Sequence, residues 1–134
     1  MTIEEKVELV ERTRDAFAAD GVEAILRFFA EDCVWYPFPE WLEEPEYRGH
    51  DGLRAITGVW TDNFDDFEMI DREIRPVNGR VVALGETAGR IKSSGAAIQQ
   101  PVGIVYSDFR DGKIGRIQSF LTWKQALEAA AVPG

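Results

Sequence analysis

Apolar residues recur at helical spacing through the first half of the chain and alternate with polar residues through the second. Ile3, Val7, Val10, Thr13 and Phe17 form one stripe, so a helix is predicted to about Ala19, opened by a Thr2–Glu5 capping box. Asp20-Gly21 breaks it, and Val22, Ile25, Leu26 and Phe29 share one face of a second, short helix. Cys33 to Tyr36 reads as a short strand. The stretch from Pro37 to Pro45 carries three prolines and cannot continue a helix or a central strand. With Phe38, Trp41 and Leu42 in it, that stretch reads as an ordered flap. Gly49 to about Asn63 is a third helix presenting Leu53, Ile56, Val59 and Trp60.

Four strands are predicted beyond it, at about 66–77, 80–92, 97–109 and 113–121, in an antiparallel meander. Asn78-Gly79 is a strong hairpin signal, because both central residues of a type I′ turn need positive φ. Ser93-Ser94-Gly95 marks a second turn, and Arg110-Asp111-Gly112 reads as a three-residue loop. Gly85, Gly89, Gly103 and Gly115 lie inside strands, where glycine marks bends, bulges or close approach. Thr122-x-x-Gln125 caps a short C-terminal helix ending near Ala131. The expectation is a single α+β domain over residues 1–134.

Each strand offers two faces. With a three-residue loop, residue 109 faces 113, and the odd positions of the last strands share a face that is almost uncharged. Burying unpaired charge is costly, so the odd face, with Thr87, Val105, Ser119 and Leu121, is expected inside. The opposite phase would turn Glu86, Arg90, Tyr106, Asp108, Arg116 and Gln118 inward as an acid–base set.

Fifteen basic against 24 acidic residues give a net charge of −9. That balance argues against nucleic acid and anionic membrane surfaces, both of which call for basic faces. Residues 1–71 hold 19 acids and 6 bases (6 − 19 = −13); residues 72–134 hold 5 and 9 (9 − 5 = +4). The acidic stretches around Glu43-Glu44 and from Asp62 to Asp71 read as solvated surface. One Cys and one His cannot build a zinc site, and Cys33 has no disulfide partner. No signal peptide or membrane span is recognisable, so the chain is expected to be cytoplasmic.

The element order, the segment Tyr47-Arg48-Gly49-His50-Asp51-Gly52-Leu53-Arg54, the hairpin residues Asp111-Gly112-Lys113-Ile114 and the ending Ala126-Leu127-Glu128-Ala129-Ala130 carry a resemblance. The chain resembles the SnoaL-like branch of the nuclear transport factor 2-like superfamily. The resemblance implies a cone-shaped barrel, a long curved antiparallel sheet wrapped around three N-terminal helices, with a pocket inside and usually a homodimer.

Family enzymes isomerise steroids, hydrolyse limonene epoxide or cyclise polyketides with inward carboxylates. The isomerase positions fall here on Pro37 or Tyr36, Val105 and about Thr13, and the epoxide hydrolase positions on Gly85, Thr87, Ser119 and Tyr36. Only a tyrosine matches, so no catalytic residue is assigned.

His50, in the first turn of the third helix beside Asp51, reads as solvated, and Cys33 as a small buried hydrophobe. The expected pocket is lined by Tyr36, Phe38, Trp41, Trp60, Thr87, Val105, Ser119 and Leu121. It would take a lipophilic small molecule, steroid-, terpene- or polyketide-like, without metal or cofactor. One alternative is an isomerase, hydrolase or cyclase using Glu86, Arg90 and Asp108. Another is a dimerisation or interaction module built on an apolar patch of Val82, Leu84, Ile104 and Phe120, with pairing through the sheet.

Overall fold

The computed structural model describes residues 1–37 and 46–132. Helix α1, Ile3–Asp20, begins on the expected capping box: Glu5 N donates to Thr2 Oγ1 at 3.1 Å and Thr2 N to Glu5 Oε1 at 2.9 Å. Helix α2, Val22–Ile25, runs into a 3-10 turn at Leu26–Phe28. Strand β1, Phe29–Tyr36, is longer than expected, and β2, Tyr47–Arg48, pairs with it antiparallel. Helix α3, Gly49–Asn63, follows, then β3, Phe64–Val77, β4, Arg80–Ile91, β5, Ala97–Ser107, β6, Ile114–Phe120, and α4, Trp123–Ala131.

The six strands form one sheet in the order β2-β1-β6-β5-β4-β3. The meander is antiparallel as expected, but β1 joins β6 in parallel, so the sheet is mixed. The whole chain between β1 and β6 serves as their connection, which leaves their relative direction free.

The Asp111-Gly112 hairpin corrects the strand phase. Arg110 and Lys113 exchange both backbone hydrogen bonds, at 3.0 and 2.9 Å, and Asp111 and Gly112 have φ of 52° and 73°. This is a two-residue turn with both central residues left-handed, not a three-residue loop. Tyr106 consequently pairs with Ile117 and Ile104 with Ser119. One residue of register turns every β5 side chain over. Tyr106, Ile104 and Val102 join Val81, Ala83 and Ile117 in the main core under α1 and α3. Val105 lies on the outer face with Val82, Leu84, Ala126 and Ala130.

The outer patch expected to attract a partner is therefore covered where it is most apolar. Val82 and Leu84 are buried beneath α4, and Ile104 faces the main core. Thr122 opens α4 by accepting a hydrogen bond from Gln125 N at 3.1 Å. Thr122→Ala removes this cap and is expected to cost about 1 kcal/mol. It should lower the urea midpoint without altering the slope of the transition; an unchanged midpoint would mean that α4 is held by packing alone.

Among the described residues no helix is long and apolar enough to cross a membrane, and none of their His, Cys, Asp and Glu side chains form a group of three or more able to hold a metal ion.

Candidate functional site

The concave face of the sheet and α3 together create the site. Val59, Trp60, Asp62 and Asn63, at the C-terminal end of α3, stand opposite Ile91, Lys92 and Ser93 of the β4–β5 hairpin and Ile98 and Gln100 of β5. With Phe64 they line an open groove of about 700 Å3. Lys92 N donates to Asn63 O at 3.0 Å and ties the hairpin to the end of α3. Gln100 faces the groove and pairs with Thr87 across the sheet. Its amide nitrogen is buried and has no hydrogen-bond partner among the described residues.

Trp60 forms the inner wall. It is 6% exposed, meets Trp35 edge-on at 5.3 Å between ring centres and stacks on Phe67 at 5.2 Å. Behind it a small cavity of about 20 Å3 touches Arg14, Met69 and Tyr106. Arg14 comes from α1, where Val7, Val10, Arg14 and Phe17 share one stripe, and its side chain is only 10% exposed. Its Nε lies 3.1 and 3.2 Å from the two oxygens of Asp71, and Nη2 also pairs with that carboxylate. Nη1 donates to Tyr106 Oη at 3.3 Å and approaches Met69 Sδ at 3.2 Å. Burial opposes the charged form, but Tyr106 and Asp71 outweigh it and hold the guanidinium above its ordinary range.

The residues singled out from sequence scatter over both faces. Trp60, Thr87, Ser119 and Leu121 lie on the concave side, the first three buried. Ser119 Oγ accepts a hydrogen bond from Trp35 Nε1 at 2.8 Å. Cys33 and Trp35 are the inward residues of β1, so alternation turns Tyr36 outward, beside Gln118 and under the Arg116 guanidinium at 4.9 Å. Tyr36, Ser119 and Leu121 nonetheless meet at a separate hollow of about 280 Å3 at the ends of β1 and β6. Val105 is beneath α4, as described. Phe38 and Trp41 fall outside the described residues.

The alternative acid–base set is not assembled. Glu86 pairs with Arg72 at 3.0 Å on the outer face, and that hydrogen bond holds its carboxyl below the usual range. Asp108 pairs with Arg110 at 3.2 Å, and Arg90 is exposed, donating to Gly95 O at 3.4 Å. Of that set only Tyr106 reaches the interior. His50 is not fully solvated: its Nε2 lies 3.0 Å from Phe29 O. Cys33 is buried, and burial raises its thiol pKa.

The SnoaL-like domain family matches residues 10–117, more than half of the chain. The chain belongs to that family. Solved structures share the fold of this SnoaL-like domain at low sequence identity. An NTF2-like protein from Burkholderia thailandensis has a TM-score of 0.79 and 18% identity, covering 91% of this chain and 96% of its own. A candidate polyketide cyclase from Xanthomonas campestris pv. campestris has a TM-score of 0.74 and 20% identity, covering 95% and 97%. TerC, co-crystallised with polyporic acid, has a TM-score of 0.74 and 18% identity, covering 96% and 99%. No curated protein matches the sequence significantly.

Arg14, Asp71 and Gln100 were missed by the strand-phase argument. The helical stripe held a signal for Arg14, since a charged residue between Val10 and Phe17 is on the buried side. Asp71, grouped with solvated acids, sits on the concave face because it pairs with Gly85 while Met69 pairs with Thr87.

Proposed function

We propose that this SnoaL-like domain binds a largely apolar small molecule, steroid-, terpene- or polyketide-like, in the groove between α3 and the β4–β5 hairpin. The observation that carries this reading is the open groove walled by Val59, Trp60, Phe64, Ile91 and Ile98, with Gln100 among its lining residues. A volume of about 700 Å3 suits a drug-sized molecule, and apolar walls with a few polar groups are the usual composition of such sites. The outward pairing of Glu86 and Asp108 favours binding over acid–base turnover from those residues. TerC, co-crystallised with polyporic acid, and the Xanthomonas candidate polyketide cyclase support a small-molecule role on this fold.

Titration of the 15N-labelled protein with 2-isopropylnaphthalene tests the reading. The amides of Asn63, Lys92, Ser93, Ile98 and Gln100 are expected to shift in a saturable way. Ile98→Glu, which sets a charge against the apolar wall, should weaken binding about tenfold or more. Shifts confined to the hollow around Tyr36 and Gln118, or no saturable shift at all, would overturn it.

A further inference from the structure

Trp60 also borders a second groove, of about 600 Å3, enclosed by the end of α1, the second half of α3 and the start of β3. Phe17, Trp60, Phe64 and Phe67 line it. Aromatic faces attract organic cations as well as apolar groups. Gly58 lines it too. Glycine inside a helix is less stable than alanine, and Gly52 of the same helix is explained by packing, because a Cβ there would lie 2.7 Å from Tyr47 C. A Cβ on Gly58 would meet nothing within 4 Å. Neither packing nor a left-handed backbone calls for glycine at that position; its effect is to keep α3 bare along the groove.

Charge selects the occupant. Arg54, at the edge of the groove, is already shared by Glu23 at 2.8 Å and Asp51 at 2.9 Å, and Lys92 lies 4.0 Å from Asp65. Asp66 is left over: among the described residues no cation or donor pairs with its carboxylate. An incoming cation would pair with Asp66, whereas an anion would meet that carboxylate with both lining cations engaged. Among the described residues the large apolar side chains that stand exposed are Met1, Trp123 and Val132, none of them at this groove. A lipid surface therefore has no apolar apron to enter here, and the occupant is a free molecule.

We propose that the groove between α1, α3 and β3 is a second binding site, which takes a small organic ammonium ion, its charge beside Asp66 and its apolar part against the aromatic walls over Gly58. The site goes beyond the groove at the β4–β5 hairpin, from which Gly58, Asp66 and Phe67 are absent.

The probe is benzyl(2-hydroxyethyl)dimethylammonium, and its control is 3,3-dimethyl-4-phenylbutan-1-ol, which has carbon in place of the charged nitrogen. In the 15N-labelled protein the cation should shift the amides of Val22, Gly58, Asp66 and Phe67 in a saturable way and bind about tenfold more tightly than the alcohol. Raising the salt from about 20 mM to about 500 mM should reduce that advantage. Asp66→Asn should weaken the cation about threefold and leave the alcohol as it was. Gly58→Leu should abolish binding of both, and Gly58→Ala should raise Tm by about 3 °C.

Equal affinity for cation and alcohol, or no binding of either, overturns the proposal. So do shifts spread over the acidic surface of α1, which would mean attraction by net charge alone, and binding that survives in Gly58→Leu. A fall in Tm in Gly58→Ala would show that the glycine serves the fold, and cosedimentation with phosphatidylcholine vesicles that Gly58→Leu abolishes would make the occupant a lipid headgroup; either result overturns the proposal as stated. If Gly58→Leu does not fold, Asp66→Asn decides, because asparagine tolerates the φ of 54° at that position. The groove at the hairpin stands or falls separately, on the shifts of Ile98 and Gln100 with 2-isopropylnaphthalene.

Discussion

Asp71→Leu is expected to destabilise the protein by about 2–3 kcal/mol, read as a fall in Tm of roughly 10 °C for a domain of this size. Arg14 is held at 10% exposure, and Asp71 is the carboxylate that pairs with it. Leucine would leave the guanidinium with Tyr106 and Met69, neither of which carries compensating charge. Fully buried pairs lose about 3–5 kcal/mol when one partner goes; Asp71 is 32% exposed, so water replaces part of the loss. The double variant Arg14→Met, Asp71→Leu removes both charges and should recover most of the stability, which a double-mutant cycle measures directly. A single variant that melts within about 2 °C of the unsubstituted protein would show that Arg14 reaches water without Asp71.

Gly85→Ala is expected to cost more, above about 4 kcal/mol, enough to prevent stable folding at 37 °C. A Cβ there would lie 1.9 Å from Ile70 O, 2.9 Å from Ile70 C and 3.1 Å from Asp71 Cα, all backbone atoms of β3. No rotamer change relieves such contacts, so β3 must move away from β4. The backbone cannot retreat freely on the other side, because Trp123 Nε1 donates to Gly85 O at 2.8 Å. Gly85 also pairs with Asp71 beside the irregularity between Asp71 and Glu73, so displacement would take the carboxylate from Arg14. Gly89→Ala is the control, since its Cβ would come no closer than 3.2 Å to Asp65 O. Equal urea midpoints for the two variants would refute the close-approach account.

Both effects concern features whose presence was readable in the sequence and whose partners were not. Glycine inside the strand expected at about 80–92 signalled a bend, a bulge or a close approach, but not which of these, nor that Ile70 lay against it. Arg14 stands on the Val10–Phe17 stripe, a signal that was passed over, and its partner Asp71 is 57 residues away in an acidic stretch that resembles solvated surface. The pocket residues divide in the same way. Trp60 followed from helical spacing in α3, where periodicity identifies the buried face. Val105 depended on strand phase, where a single miscounted residue reverses the answer, and Tyr36 entered only through the family resemblance.

The sequence by itself determined the helices, the caps of α1 and α4, the Asn78-Gly79 turn and the approximate meander strands, because each depends on neighbours within about seven positions. It also determined that most carboxylates would stay outside, since buried unpaired charge is excluded in any arrangement. Tertiary structure decided which way β1 runs beside β6, which face of β5 meets the helices, and that Arg14, Asp71 and Tyr106 come together. Those outcomes turn on register and on contacts between distant segments. A side-chain alternation of period two carries no record of which of its two faces another part of the chain will cover.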